Sequence, residues 1–408
     1  MNKYIQIIFL ATTLLLSGCV NDDSDNPAPV KPSRREWYQL VKTDTISSQK
    51  MVQEIIDVPI TALDITTIVR NSFLYHSING SDTLTLSGAV CWPLGIKSCS
   101  EIWLDSHFFC TRWDECPSQK VEPVMLVSSR RNAIYIGADY QGLGLSRNLD
   151  MPYLNTPMLA NQNIDCFKAA MTLLKDYGPY IADDYHTYNV GYSLGGAVSM
   201  GVARQIELDP GLKETVHLKK TISGNGPFDQ TAYFNHCLKA TDMELDFPVA
   251  ILCAVKSIIN SSPSFRQTYG YSDCFTDKLL KSGVLRALDS REYDTGAINS
   301  ILIQAGCSSL KGILSTELLD RNSDISKAVF KELEKLDLTS GWTPQIPILV
   351  SHSKTDTYVP YACMESVIAN LYDKNNPNVD VEIIESGAHV EQGAKFYVKL
   401  FYNLYPLD

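Results

Sequence analysis

Basic charge is in short supply in this chain. Its 35 Lys and Arg face 46 Asp and Glu, a net charge of −11. Such a surface repels phosphate backbones rather than neutralising them, which argues against a nucleic-acid partner. Charged residues are only 20% of the 408, against 45% hydrophobic and 10% aromatic, so the composition disfavours disorder and can supply a sizeable core. After residue 20 no apolar run is long enough to span a bilayer as a helix. No C-x-x-C pair and no H-E-x-x-H occurs, so neither a structural nor a catalytic zinc site is expected. Internal repeats are absent, and no low-complexity segment lies beyond the N-terminal region. What remains is an acidic, globular enzyme or binding protein.

The N-terminus carries a targeting pattern. Lys3 gives a positive start, residues 5–16 are almost unbroken apolar, and the run stops at Leu16-Ser17-Gly18-Cys19. An apolar run of this length before small residues predicts a secretory signal over residues 1–18, too short for a transmembrane helix. Cys19 behind Leu-Ser-Gly resembles the lipobox of bacterial lipoproteins. That resemblance implies an acylated Cys19 that becomes the new N-terminus and anchors the protein to a membrane. Residues 21–30, with three Asp and two Pro, have nothing to pack, and residues 19–35 are read as a flexible tether. An acidic stretch just after the Cys resembles the export signal of bacterial surface lipoproteins. It implies attachment to the outer membrane with a surface-exposed protein; a periplasm-facing anchor is the alternative. Ten further cysteines, an even number outside the cytoplasm, permit disulfides without fixing their pairing. Cys166 and Cys253 fall in apolar helical patterns and read as buried free thiols. Cys91, Cys99, Cys110 and Cys116 cluster in loop-rich sequence and are the better bridge candidates.

Strands and helices alternate through most of the chain. Residues 73–77 and 83–86 flank Asn79-Gly80, a strong hairpin turn. Short apolar runs at 102–104 and 133–138 end in polar loops, as buried parallel strands do. Ile164, Phe167, Met171 and Leu174 share one helix face, and Gly178-Pro179 ends that helix. Further strands are predicted at 188–192, 221–223, 348–351 and 379–384, the last an edge-side strand. Helices are predicted at 194–208, 361–372 and 396–405. Strand then helix, repeated, predicts an α/β fold with a mostly parallel sheet flanked by helices. Between about 229 and 341 the strand pattern disappears. Residues 247–255 are strongly apolar, and Ile325, Val329, Leu333 and Leu336 form a helix stripe behind a cap at Ser323. Strands resume afterwards, so residues 229–342 read as a helical cap inserted between the core segments 36–228 and 343–408, rather than as a separate domain.

Gly191-Tyr192-Ser193-Leu194-Gly195 is the one full match to G-x-S-x-G. The pattern alone is only suggestive, but an apolar strand precedes it and a helix with small residues follows. Such a turn strains the serine and projects its Oγ above the sheet edge. A serine hydroxyl needs a base to take its proton. Of seven histidines, His389, a few residues beyond the strand at 379–384, has the matching position, in a loop able to reach Ser193. His352 reads as a neighbour, and His107 as a brace for its own loop. Asp356 lies four residues beyond the strand end at His352, where the acid that orients the imidazole belongs. The tetrahedral intermediate needs fixed N–H donors. The Leu194 backbone should supply one and Phe108, in the loop after the 102–104 strand, the other.

The order Ser193, Asp356, His389 resembles the α/β-hydrolase superfamily. Asp139-Tyr140-Gln141-Gly142-Leu143-Gly144, Pro152-Tyr153, Cys116-Pro117-Ser118 and Gly191-to-Gly196 are similar to its secretory lipase and esterase branch. The resemblance runs from about Phe73 to the C-terminus apart from the insertion. It implies an α/β-hydrolase fold with a helical cap, cleaving small-molecule carboxylic esters through an acyl-enzyme on Ser193, with no cofactor. The family's oxyanion loop usually has Gly after the His, where this chain has Phe108. Residues 247–255 are candidates to line the acyl pocket, against the alternative of a self-packed cap core. Two other readings compete: a serine peptidase on the same fold, and a non-catalytic binding lipoprotein on an inherited scaffold.

Overall fold

A computed structural model describes residues 36–55, 61–372 and 376–407. Cys19, the 1–18 signal and the 19–35 tether therefore lie outside the described residues.

Nine strands form one sheet: β1 (Tyr38–Ile46), β2 (Ile68–Asn79), β3 (Asp82–Pro93), β4 (Ser98–Ser106), β5 (Ile134–Ala138), β6 (Tyr180–Tyr192), β7 (Leu218–Gly224), β8 (Ile348–Ser353) and β9 (Val379–Ile384). Their spatial order is β1-β2-β3-β5-β4-β6-β7-β8-β9. β1, β2, β3 and β5 pair antiparallel, and from β5 to β9 every pairing is parallel. Asn79-Gly80 turns the β2–β3 hairpin, pairing Asn79 with Asp82. Both strands run well beyond the apolar stretches that mark them in the sequence. β1 has no apolar run to announce it, because most of its side chains are only half-buried or exposed on the sheet edge.

Period-2 alternation sorts the strand side chains onto two faces. Ile102, Leu104, Ile134 and Ile136 join one core with Phe167, Leu173, Val198 and Met200, from helices Thr156–Tyr177 and Leu194–Leu208. Trp103, Tyr135, Tyr188 and Val190 point the other way, onto helices Pro123–Arg131 and His389–Phe401. Both faces are covered, as parallel strands with continuous apolar runs require. Between β7 and β8 the described residues contain helices and two isolated bridges, with no strand of the sheet. The longest helix of this block, Pro248–Ser261, is buried almost all round. A buried Lys256 ties the block to the core, its ammonium 3.0 Å from both Asp150 and Asp289.

Two expectations need correction. The closing helix is His389–Phe401 rather than 396–405, so His389 stands at its first position and not in a loop. All ten described cysteines are free and buried, Cys91, Cys99, Cys110 and Cys116 included. Cys91 and Cys99 lie inside β3 and β4 and face different cores, which rules out a bridge between them. Cys110 and Cys116 share a small cluster, but their thiols donate to the carbonyls of Glu115 and Trp113.

Candidate active site

Ser193 follows the last residue of β6 and caps the helix Leu194–Leu208, with φ 60° and ψ −125°. A positive φ outside glycine costs about 1–3 kcal/mol and persists where the surroundings impose it. Here they do. A Cβ at Gly191 would overlap the Gly195 carbonyl, and one at Gly195 would overlap the Ser106 carbonyl. The strand, the turn and the β4 loop thus touch backbone to backbone, and the serine side chain is forced outward.

The first residue of the C-terminal helix meets that side chain. Ser193 Oγ lies 2.8 Å from His389 Nε2, and His389 Nδ1 lies 2.6 Å from Asp356 Oδ2. One tautomer satisfies both contacts: Nδ1–H donates to the carboxylate and Nε2 accepts from the hydroxyl. The three residues are far apart in sequence but sit at the ends of β6, β8 and β9, adjacent or near-adjacent parallel strands. Asp356 is fully engaged. Its Oδ1 accepts the backbone N–H groups of Tyr358 and Val359, each at 2.9 Å. Its Oδ2 also accepts the Asn225 amide at 2.5 Å. Burial pushes the Asp356 carboxyl up, yet His389, the Val359 N–H and Asn225 together bring it below the ordinary range. His389 is held from two further sides. The Tyr192 hydroxyl donates to its backbone carbonyl at 2.6 Å, and the Tyr358 ring stacks on its imidazole at 5.1 Å.

Asn225 and Tyr192 escaped sequence reasoning. Asn225 lies directly after β7, beside β8, and only the strand order shows that it reaches the acid. Tyr192 is the first of the two variable letters of G-x-S-x-G, and its reach to the last helix is invisible before folding.

The two expected oxyanion donors border the site differently. Leu194 opens the helix behind Ser193, and Phe108 lines the cavity in front of it. Among the turn and loop hydrogen bonds of the described residues, neither N–H donates to a backbone carbonyl. His107 is buried; its Nδ1 lies 2.7 Å from the Phe108 carbonyl and its Nε2 3.2 Å from the Asp139 carbonyl. Tyr140 stacks on the ring at 4.3 Å. Burial lowers the His107 pKa, and a neutral ring donates to one of these carbonyls at a time. Asp139 closes the layer beneath by accepting from Ser87 Oγ, Ser118 Oγ and Ser118 N–H at 2.5–2.8 Å. His352 is fully buried, with Nε2 3.0 Å from the Val359 carbonyl; it contacts neither Ser193 nor Asp356 by hydrogen bond.

A cavity of about 430 Å³ opens on Ser193 and His389. Phe108, Phe109, Tyr192, Phe247, Tyr358 and Tyr397 give it an aromatic lining, and Glu54, Lys120 and Glu122 make it polar in one part. Of residues 247–255, only Phe247 borders this cavity, while Val249, Ile251, Leu252 and Val255 are core. The Phe247 ring stacks on Tyr358 at 4.5 Å, and both rings also border a second, more polar cavity of about 720 Å³ on the Asp356 side. Among the described residues no group of three or more His, Cys, Asp or Glu is placed to hold a metal ion.

No protein-family model and no curated protein sequence matches the chain. Solved structures do. The esterase LipA from Xanthomonas oryzae, described as rice cell wall degrading, superposes with a TM-score of 0.71 at 18% identity, covering 91% of this chain and 97% of its own. A putative hydrolase from Legionella pneumophila gives 0.69 at 18% identity, covering 89% and 96%. Lipase A from Candida antarctica gives 0.58 at 12% identity, covering 90% and 83%. The sheet order, the helices on both its faces and these superpositions lead to one conclusion: the chain has the α/β-hydrolase fold.

Proposed function

We propose that the protein is a serine hydrolase that cleaves carboxylic esters. The observation that carries this reading is the continuous relay from the Ser193 hydroxyl through His389 to Asp356. Ser193 Oγ attacks the ester carbonyl carbon while its proton passes to His389 Nε2. Asp356 keeps the imidazole in the Nδ1–H tautomer and stabilises its positive charge. The carbonyl oxygen becomes an oxyanion, which the Leu194 and Phe108 N–H groups would hold; one such donor is worth about 3–4 kcal/mol. The intermediate collapses as Nε2 returns the proton to the leaving alcohol. Water then attacks the acyl-enzyme by the same route and frees Ser193. The likeness to esterases and a lipase supports ester over amide cleavage.

The test is hydrolysis of short p-nitrophenyl esters by Ser193→Ala. Loss of about 10⁴-fold or more in kcat at unchanged melting temperature is expected; undiminished turnover would overturn the reading.

A further inference from the structure

The aromatic cavity is bordered by a buried carboxyl that the ester mechanism does not use. Glu122 is only 3% exposed and borders the cavity that opens on Ser193. It occupies the cap position of the helix Pro123–Arg131, yet its side chain makes no capping hydrogen bond. Among the described residues no donor reaches its carboxyl. The neighbouring Glu54 differs: its carboxylate accepts the Val121 N–H at 3.3 Å and pairs with Lys50 at 3.5 Å. A carboxyl this enclosed and without a protein donor among the described residues is one that a bound hydrogen-bonding group can satisfy.

We propose that Glu122 reads a hydroxyl on the substrate, so that the preferred esters carry a hydroxyl on the part of the molecule held in this cavity. The inference rests on the reading of Ser193 as an ester hydrolase nucleophile and deepens it. Three features select this chemistry. The aromatic lining favours an apolar segment on the substrate, alkyl or aryl, within about 430 Å³. Lys120 borders the same cavity and its positive charge partly offsets the Glu122 carboxyl, so the site does not rest on negative charge alone. Burial and the nearby Asp105 carboxyl push the Glu122 pKa well up. A hydroxyl suits either protonation state, because it donates to a carboxylate and accepts from a carboxylic acid. Apolar pockets discriminate weakly against an isostere, whereas a site built to bond a hydroxyl strongly rejects the analogue without it.

The experiment compares kcat/KM for methyl esters in matched pairs, each hydroxyl replaced by methyl. Hydroxyhexanoate is set against heptanoate, and para-hydroxyphenylpropanoate against para-methylphenylpropanoate, with aminohexanoate as the cationic arm. The unmodified protein should favour the hydroxyl partner about 10-fold or more in at least one pair. Glu122→Leu should collapse that ratio, and Glu122→Gln should keep part of it. Equal rates within both pairs, a ratio that survives Glu122→Leu, or aminohexanoate as the best substrate would each overturn the proposal. If Glu122→Leu fails to fold, the unmodified protein and Glu122→Gln decide, the ratio being expected to fall in the latter. Fluorophosphonate labelling of Ser193 keeps the two claims apart. Labelling without hydroxyl selectivity sinks this inference alone, whereas no labelling sinks the hydrolase reading beneath it.

Discussion

The sheet-bearing core and the helical block between β7 and β8 solve the same packing problem in different ways. In the core, the residues of the proposed relay and their neighbours stand beyond strand ends, Ser193 directed by backbone contacts and Asp356 and Asn225 by hydrogen bonds. The block is held mainly by apolar burial, and a charged tie to the core, Lys256, meets carboxylates that are about half exposed. Polar groups in the core are therefore expected to be costly to change, and those in the block cheap.

The sharpest form of that contrast is Asp356→Asn. An amide cannot hold His389 in the Nδ1–H tautomer, so ester turnover should fall about 10⁴-fold while the circular dichroism spectrum stays unchanged. A loss under tenfold would remove Asp356 from the relay. Next is Asp139→Ala, outside the proposed relay. It strands the Ser87 and Ser118 hydroxyls and the Ser118 N–H in the interior, and should cost about 3 kcal/mol or more in urea unfolding.

A comparable effect follows from pH. Burial lowers the His352 pKa to about 4, against about 6.5 when unfolded. Between these values the unfolded chain binds more protons than the native one, so stability rises with pH across the window and is lost as pH falls through it. The shift is worth about 3 kcal/mol in all, and His352→Gln should flatten that part of a stability–pH curve. Smallest is Lys256→Met in the block. Burial pushes this ammonium down, but Asp289 and Asp150 hold its pKa above the ordinary range. Both carboxylates are about half exposed, so losing the cation leaves them solvated. The expected cost is about 1–2 kcal/mol by thermal unfolding. A cost matching that of Asp139→Ala would erase the contrast between the two regions.

The same contrast explains what the sequence made legible. Parallel strands buried on both faces leave continuous apolar runs, so most of the sheet could be read, together with the serine turn. β1 lies at an edge and alternates weakly, which hid it. The start of the last helix was misplaced because residues 389–395 carry no apolar stripe long enough to show it. The cysteine clusters looked suited to bridging only while their strands were unknown. Asn225, Tyr192 and Glu122 depend on which chain segments become neighbours, and local patterns hold no trace of that. Within the block, the apolar run 247–255 announced a helix but not its role, and all but Phe247 turned inward.

The stacked rings of Phe247 and Tyr358 have a consequence of their own. They form a party wall between two chambers, and its two rings come from different segments: Tyr358 from the turn that carries Asp356, Phe247 from the position before the helix Pro248–Ser261. Substitutions at Phe247 would change the wall between the chambers, and because Tyr358 also stacks on His389 they would reach the imidazole through a single ring. Chamber size and the seating of the imidazole are thereby coupled through one tyrosine.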